Sequence, residues 1–179
     1  RARTRRAILD EGEALVRDLL AGGYDEVYVA GHSLGSVVAL DILDRLARWP
    51  GAVADPALGR LRGLLTFGSP LDKVAYFFKQ RPGEGEALRG QLLSYLHGVR
   101  RRRNLRDYGP YLAQPYELPF ADLRWWQVHA PGDLLSDRLL HYEVDRRVIL
   151  PLGNPLTAHN GYWADPTFFS VALDWLRVG

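Results

Sequence analysis

The amino-acid sequence predicts an α/β fold in three layers, with helices on both faces of a mostly parallel sheet. Short apolar runs alternate with longer amphipathic stretches along the chain, which is the pattern of successive βαβ units. Each apolar run ends at glycine or proline, residues that commonly end strands. The 179 residues are 47% hydrophobic and 25% charged, a composition that suits a globular domain with a substantial core. We therefore expect a single domain over residues 1–179.

The first part of the chain predicts a helix, a strand and a second helix. Residues 5–21 have amphipathic spacing and are followed by Gly22-Gly23. Residues 26–31 are nearly all apolar, which predicts a parallel strand buried on both faces. The second helix is expected over roughly 34–48, ended by Pro50-Gly51. The apolar stripe expected on the first helix consists of Ile8, Gly12, Leu15, Val16, Leu19 and Leu20.

The second part of the chain predicts three more strands and a final helix. The strands are expected over 61–67, 124–129 and 147–150, each followed by glycine or proline within a few residues. Residues 167–178 have helical spacing. The apolar positions of this last helix are Phe168, Val171, Ala172, Trp175 and Leu176.

Residues 71–122 interrupt the alternation of strands and helices. They contain an aromatic helix start at 74–78, a second predicted helix at 86–101 and a loop rich in proline and tyrosine at 108–120. Because the stretch is longer than a simple crossover needs, it predicts either a helical cap over the site or a helical excursion at the sheet edge. The run Arg100 to Arg103 indicates a solvated helix end, with an anionic membrane surface as the alternative partner.

The pentapeptide Gly31-His32-Ser33-Leu34-Gly35 lies between a predicted strand and a predicted helix. In that context a Gly-x-Ser-x-Gly string predicts a sharp, strained turn that exposes the serine hydroxyl. We expect both glycines to leave room for a turn that side chains would block. The helix start brings backbone N–H groups and a positive dipole end close to the serine. Ser33 is therefore the candidate nucleophile, and the backbone N–H of Leu34 is the expected oxyanion donor.

A serine nucleophile needs a base, and the base needs a carboxylate that orients it. With this kind of turn the chain order is serine, then Asp or Glu, then histidine, with the groups at the carboxyl ends of the strands. Asp133 follows a strand end in Ala130-Pro131-Gly132-Asp133 and is the expected acid. Asp72 and Asp137 remain alternatives, although Asp72 is expected to cap the helix that starts near Lys73.

Two histidines follow Asp133 in the chain, His141 and His159. His141 precedes the fourth strand, so it should lie at the wrong end of the sheet. His159 follows that strand in a loop and is the expected base. Among the other histidines, His32 is expected to pack beside the nucleophile, His97 to lie on a helix face, and His129 to be satisfied by neighbouring backbone.

Several function classes are disfavoured by what the sequence lacks. A net charge of +2 is too small to indicate a nucleic-acid partner. The absence of cysteine excludes disulfides, a thiol nucleophile and cysteine-bound metal. No histidine and carboxylate cluster has zinc spacing, and no glycine-rich phosphate loop is present. The sequence thus predicts no cofactor and no metal.

The chain resembles the α/β-hydrolases of the lipase-like kind from about Ile8 onward. The segments that carry the resemblance are GHSLGSVVALDIL at 31–43, TFGSPLDK at 66–73, WWQVHAPGD at 125–133 and AHNGYW at 158–163. The resemblance implies Ser33, Asp133 and His159 as a catalytic triad and a small-molecule or lipid acyl substrate. Similar lipase-like proteins can carry membrane segments upstream, so the resemblance also implies membrane attachment of the parent protein, with a cytoplasmic location as the alternative.

One part of such a site is not predicted within this chain. The second oxyanion donor normally comes from a loop after an earlier strand, and no strand is predicted before residue 26. The chain also lacks methionine. We expect a C-terminal fragment without the N-terminal strands; the alternatives are strand complementation or self-association at the open sheet edge, or a reduced fold.

The functional hypothesis from the sequence is a serine hydrolase that cleaves an ester or related acyl substrate through an acyl-enzyme. Two alternatives remain open at this point. One is a catalytically inactive module of the same fold that binds a partner or lipid. The other is an acyltransferase that uses the same nucleophile.

Overall fold

The structure is a computed structural model that describes residues 2–47, 49–73, 120, 122–140, 142 and 144–177. Its sheet has the strand order β1-β2-β3-β4, with every neighbouring pair parallel. This confirms the predicted parallel sheet; β1 and β4 are each displaced by one residue from the prediction. The strands are β1 (Val27–His32), β2 (Leu61–Phe67), β3 (Arg124–His129) and β4 (Arg146–Ile149).

Helices precede, connect and follow these strands. A short 3-10 turn at Tyr162–Ala164 follows the four-residue helix Ala158–Gly161, and two further ones at Ala52–Ala54 and Leu58–Arg60 lead into β2. None of the helices in the described ranges is long and apolar enough to cross a membrane. The helices are α1 (Ala2–Ala21), α2 (Leu34–Ala47), α3 (Ala158–Gly161) and α4 (Pro166–Arg177).

Two hydrophobic cores lie on opposite faces of the sheet. Because side chains alternate across a strand, Trp125 belongs to one core and its neighbour Trp126 to the other. The first core is formed with α1 and α2, whereas the second is formed with α4 through Phe168 and Trp175. Helices therefore cover both faces, which confirms the predicted three-layer α/β fold.

The buried face of α1 differs from the expected stripe. Leu9, Val16 and Leu20 are buried, but Ile8 and Leu15 are 48% and 60% exposed. The physical reason is that α1 packs on α2, so only a narrow seam of its surface is covered. Gly12 lies in that seam, where an added Cβ would meet the side chain of Ile42.

The prediction that the first strand is buried on both faces is wrong. β1 is an edge strand, and within the described ranges nothing pairs with its outer side. Ala30 is exposed, and Tyr28 and Val29 are half-buried. An apolar run therefore does not distinguish a central parallel strand from one at the edge.

Most of the predicted insertion at 71–122 lies outside the described residues, as do Arg100 to Arg103, His97 and His141. Of the described residues at its ends, Leu71 and Phe120 are buried in the first core. The predicted cap thus stays a prediction.

Candidate active site

Ser33 connects β1 to α2 in a strained conformation. Its φ is 53°, in the left-handed region that residues other than glycine rarely adopt. Its backbone N–H donates to the carbonyl of Phe67 at the end of β2, over 3.0 Å. The turn therefore fixes the serine at the carboxyl edge of the sheet.

The two glycines of the pentapeptide have different roles. A Cβ on Gly31 would lie 2.6 Å from the Cα of Ser36 and 2.7 Å from the carbonyl oxygen of Gly35, both backbone atoms of α2. The expectation that this turn needs glycine agrees with the structure at Gly31. It is wrong at Gly35, where a Cβ would meet nothing within 4 Å because that position faces open space.

Two buried serines connect the Ser33 turn to the turn after β2. The hydroxyl of Ser36 donates to the carbonyl of Ser33, and its oxygen lies 2.7 Å from the hydroxyl oxygen of Ser69. Both residues are fully buried. In the sequence Ser69 stands out only as part of the segment TFGSPLDK, and its partner could not be predicted because the two residues are 33 positions apart.

The structure brings Ser33, His159 and Asp133 together. The Nε2 of His159 is 2.9 Å from the hydroxyl oxygen of Ser33, and its Nδ1 is 3.0 Å from both carboxylate oxygens of Asp133. A carboxylate accepts only, so Nδ1 carries the proton and Nε2 accepts from the serine hydroxyl. Three residues from separate segments of the chain thus form one continuous hydrogen-bonded chain.

The Asp133 side chain is fully buried and has further donors around it. The backbone N–H of Leu135 donates to its Oδ1 over 3.0 Å, and the hydroxyl of Tyr162 donates to its Oδ2 over 3.1 Å. The preceding Gly132 lies against the backbone of Leu152 and Gly153 in the loop that leads to His159. This close backbone approach sets the spacing between acid and base.

The two alternative acids have other partners. The carboxylate of Asp137 accepts from the backbone N–H of Lys73 at 3.0 Å and from its Nζ at 2.8 Å. The carboxylate of Asp72 accepts from the backbone N–H of Leu140 at 2.8 Å. Helical structure begins at Leu71, so the prediction that Asp72 caps this helix is wrong. Instead, the carboxylate of Asp137, from a loop distant in the chain, accepts from the backbone N–H of Lys73 in the first turn of this helix.

Tyr162 and Trp163, next to the His159 turn, make contacts that sequence reasoning did not assign. Tyr162 is fully buried, and burial raises the pKa of its hydroxyl, which stays protonated as a donor to Asp133. The indole Nε1–H of Trp163 donates to Nδ1 of His32 over 3.4 Å. The one signal for these two residues in the sequence is the segment AHNGYW at 158–163, which carries the resemblance to lipase-like hydrolases.

His32, expected to pack beside the nucleophile, lies against the ring of His159 with centroids 4.8 Å apart and also makes hydrogen bonds. Its Nε2 is 2.8 Å from the backbone carbonyl of His159, and its ring stacks on Phe67 with centroids 4.9 Å apart. Burial lowers the pKa of His32, and the hydrogen bond to the backbone carbonyl of His159 offsets part of that lowering.

The expected backbone partner of His129 is not found among the described residues. Within that part of the chain, both ring nitrogens of this buried residue lack a hydrogen-bond partner. Burial lowers the pKa of His129, and the positive charges of Arg138 and Arg147 lower it further. The residue therefore remains neutral inside the protein, and its contribution to stability depends on pH.

The surroundings of Ser33 are apolar and carry a helix N-terminus. Leu34 is the first residue of α2, so its backbone N–H has no acceptor within the helix and is adjacent to Ser33. Within the described ranges no group of three or more histidine, aspartate and glutamate side chains could hold a metal ion. Exposed apolar side chains on the segments around the Ser33–His159 pair are Leu34, Leu134, Leu135, Leu156 and Trp163.

Comparisons with known proteins find similarity to solved structures alone. No protein-family model and no curated protein sequence matches the chain. Seven chains of solved structures match it. One is the crystal structure of Paleococcus ferrophilus monoacylglycerol lipase, with a TM-score of 0.38 and 9% sequence identity over 87% of this chain and 72% of that chain.

Proposed function

We propose that this protein is a serine hydrolase that cleaves an ester or related acyl substrate through an acyl-enzyme. The observation that carries the proposal is the chain of hydrogen bonds from the Ser33 hydroxyl through His159 to the buried carboxylate of Asp133. Nucleophile, base and orienting acid in this geometry support acyl transfer.

Each residue has one role in the proposed reaction. His159 takes the proton from the hydroxyl of Ser33 at Nε2 as the serine oxygen attacks the substrate carbonyl. Asp133 holds the imidazole orientation and stabilises the imidazolium that forms. His159 then protonates the leaving group, and a water molecule deprotonated by the same nitrogen cleaves the acyl-enzyme.

The oxyanion of the tetrahedral intermediate needs hydrogen-bond donors. The N–H of Leu34 is suited to this role because it is free of intrahelical bonding and belongs to the residue after the nucleophile. One such donor contributes about 3–4 kcal/mol to transition-state stabilisation. The second donor is not assigned to a described residue.

The apolar side chains around the site favour a substrate with an apolar acyl group. Leu34, Leu134 and Leu156 are exposed and come from three segments, each of which also carries or adjoins a member of the proposed triad. An acyl chain that covers them would remove apolar surface from water, at roughly 25 cal/mol per Å².

A fluorophosphonate probe tests the proposal directly, since it reacts covalently with an activated serine. The wild type should label, and Ser33→Ala should not. Ser170→Ala, which removes an exposed serine of α4, should label like the wild type. The wild type should be tested in a folded form that includes any segment that precedes Arg1. If that protein never labels, the result contradicts the proposal and favours the inactive binding module.

Product analysis distinguishes hydrolysis from acyl transfer. Incubation of a p-nitrophenyl ester with an added alcohol should give mainly the free acid if water is the natural acceptor. A predominant new ester would identify an acyltransferase with the same triad.

A further inference from the structure

His32 is held by one acceptor and one donor that together require one protonation state. Its Nε2 faces the backbone carbonyl of His159 at 2.8 Å, and a carbonyl only accepts, so Nε2 carries the hydrogen. Its Nδ1 faces the indole N–H of Trp163 at 3.4 Å, and an indole only donates, so Nδ1 presents a lone pair. Both partners therefore select the neutral Nε2–H tautomer.

The bond from His32 fixes the backbone of the base. His159 lies in α3, which spans only four residues, and follows a long loop, so its local structure constrains it weakly. Its ring must nevertheless keep contacts of about 3 Å on two sides. The carbonyl of His159 is anchored by the ring of His32, and that ring is stacked on Phe67 of β2.

The neutral state of His32 also suits the proposed reaction. The two histidine rings are 4.8 Å apart, and His159 becomes positive when it takes the serine proton. A protonated His32 would repel that charge. It would also direct an Nδ1–H group at the indole N–H of Trp163, so the site opposes protonation by geometry.

We propose that His32 is a positioning residue that anchors the backbone of His159, and that Trp163 holds it in the neutral Nε2–H tautomer. The proposal rests on the hydrolase function proposed above. The other titratable groups that act on His32 or lie against it are the imidazole of His159, the carboxylate of Asp133 and the hydroxyl of Tyr162. Burial lowers the pKa of His32 most, and the imidazole of His159 lowers it as well, whereas the hydrogen bond to the His159 carbonyl and the carboxylate of Asp133 raise it.

The rate of fluorophosphonate labelling tests the anchoring role. His32→Phe retains a ring that can stack on Phe67 but has no donor, and labelling should slow about 10- to 100-fold. His32→Gln has an amide N–H as far from the backbone as Nε2, and it should recover part of that rate. Thermal melting shows that each variant is folded when the rates are compared.

Histidine NMR tests the tautomer without any need for activity. In protein labelled with ¹⁵N-histidine, His32 should be the neutral Nε2–H tautomer at pH 7. Trp163→Phe removes the facing donor, so the pKa of His32 should rise by about half to one unit. The acid limb of the labelling rate should move to higher pH with it. Trp49→Phe, which changes another exposed indole, should alter neither.

The outcomes separate the two proposals. A wild type that never labels would refute the hydrolase function, and with it any positioning of a base. A wild type and His32→Phe that label at equal rates would refute the anchoring role alone. An Nδ1–H tautomer, or an unchanged pKa of His32 in Trp163→Phe, would refute the role of Trp163.

Discussion

Replacing Gly31 by alanine should damage both the fold and the site, whereas the same change at Gly35 should not. At Gly31 the new Cβ would be 2.6 Å from the Cα of Ser36, against about 3.4 Å for an ordinary contact. The atoms it meets are backbone, so the first turn of α2 must move by about 0.8 Å. Such overpacking costs about 1–3 kcal/mol of unfolding free energy.

The same displacement changes the nucleophile. Ser33 immediately precedes the first turn of α2, so a comparable shift would lengthen its 2.9 Å bond to His159 to about 3.7 Å, beyond hydrogen-bond range. A displacement of this order lowers the labelling rate by about 100-fold. Gly35→Ala meets open space in a helix, and the better helix propensity of alanine should leave stability unchanged or raise it by up to about 1 kcal/mol.

Urea unfolding followed by tryptophan fluorescence measures the stability change, and fluorophosphonate labelling measures the change at the site. In a domain of this size each kcal/mol corresponds to about 2–4 °C in Tm. Equal stability and labelling of Gly31→Ala and wild type would refute the close approach of α2 to β1. Equal damage from Gly31→Ala and Gly35→Ala would refute the distinction between the two glycines.

Three further predictions concern the acid, the loop of the base and a buried histidine. Tyr162→Phe removes a donor to Asp133 and should slow labelling about 10-fold with little change in secondary structure by circular dichroism. Gly132→Ala would clash with the backbone of Leu152 and should lower Tm and labelling together, whereas Gly153→Ala meets nothing within 4 Å and should leave both unchanged. The pKa of His129 is lowered in the folded state, so as pH falls below about 6.5 the unfolded chain binds a proton at this residue before the folded protein does. The free energy of unfolding therefore decreases below that pH, by at most about 1.4 kcal/mol per pH unit. Urea titrations at pH 7 and 5.5 should show a smaller decrease in unfolding free energy for His129→Leu than for the wild type. Equal decreases in the two proteins would contradict the neutral buried state of His129.

The strands and the helices that flank them were predictable from sequence because their periodicity and their stop signals are local. The apolar runs at 61–67 and 124–129 match β2 and β3 residue for residue. The orientation of α1 was not predictable from the same evidence. Ile8 and Val16 are both apolar at helical spacing, and only the position of α2 decides that Val16 is buried and Ile8 is exposed.

The candidate site shows the same division. The serine turn and the chain order of acid and base follow from the sequence, which predicts Ser33, Asp133 and His159 at the carboxyl ends of strands. The contacts around them do not follow, because Tyr162 reaches Asp133 across 29 positions and His32 reaches the backbone of His159 across 127. The local sequence does not indicate which polar groups, distant along the chain, will be adjacent after folding.

The sequence by itself determined a parallel α/β sheet, a serine on a strained turn and the expected identity of its two partners. The tertiary structure decided that β1 lies at the edge of the described sheet and that Gly31 needs to be glycine while Gly35 does not. It also decided that none of the described residues bonds to the ring of His129. The physical reason is the range of the interactions. Helix and strand formation follow local periodicity, whereas burial, close backbone approach and tautomer depend on which distant segments meet.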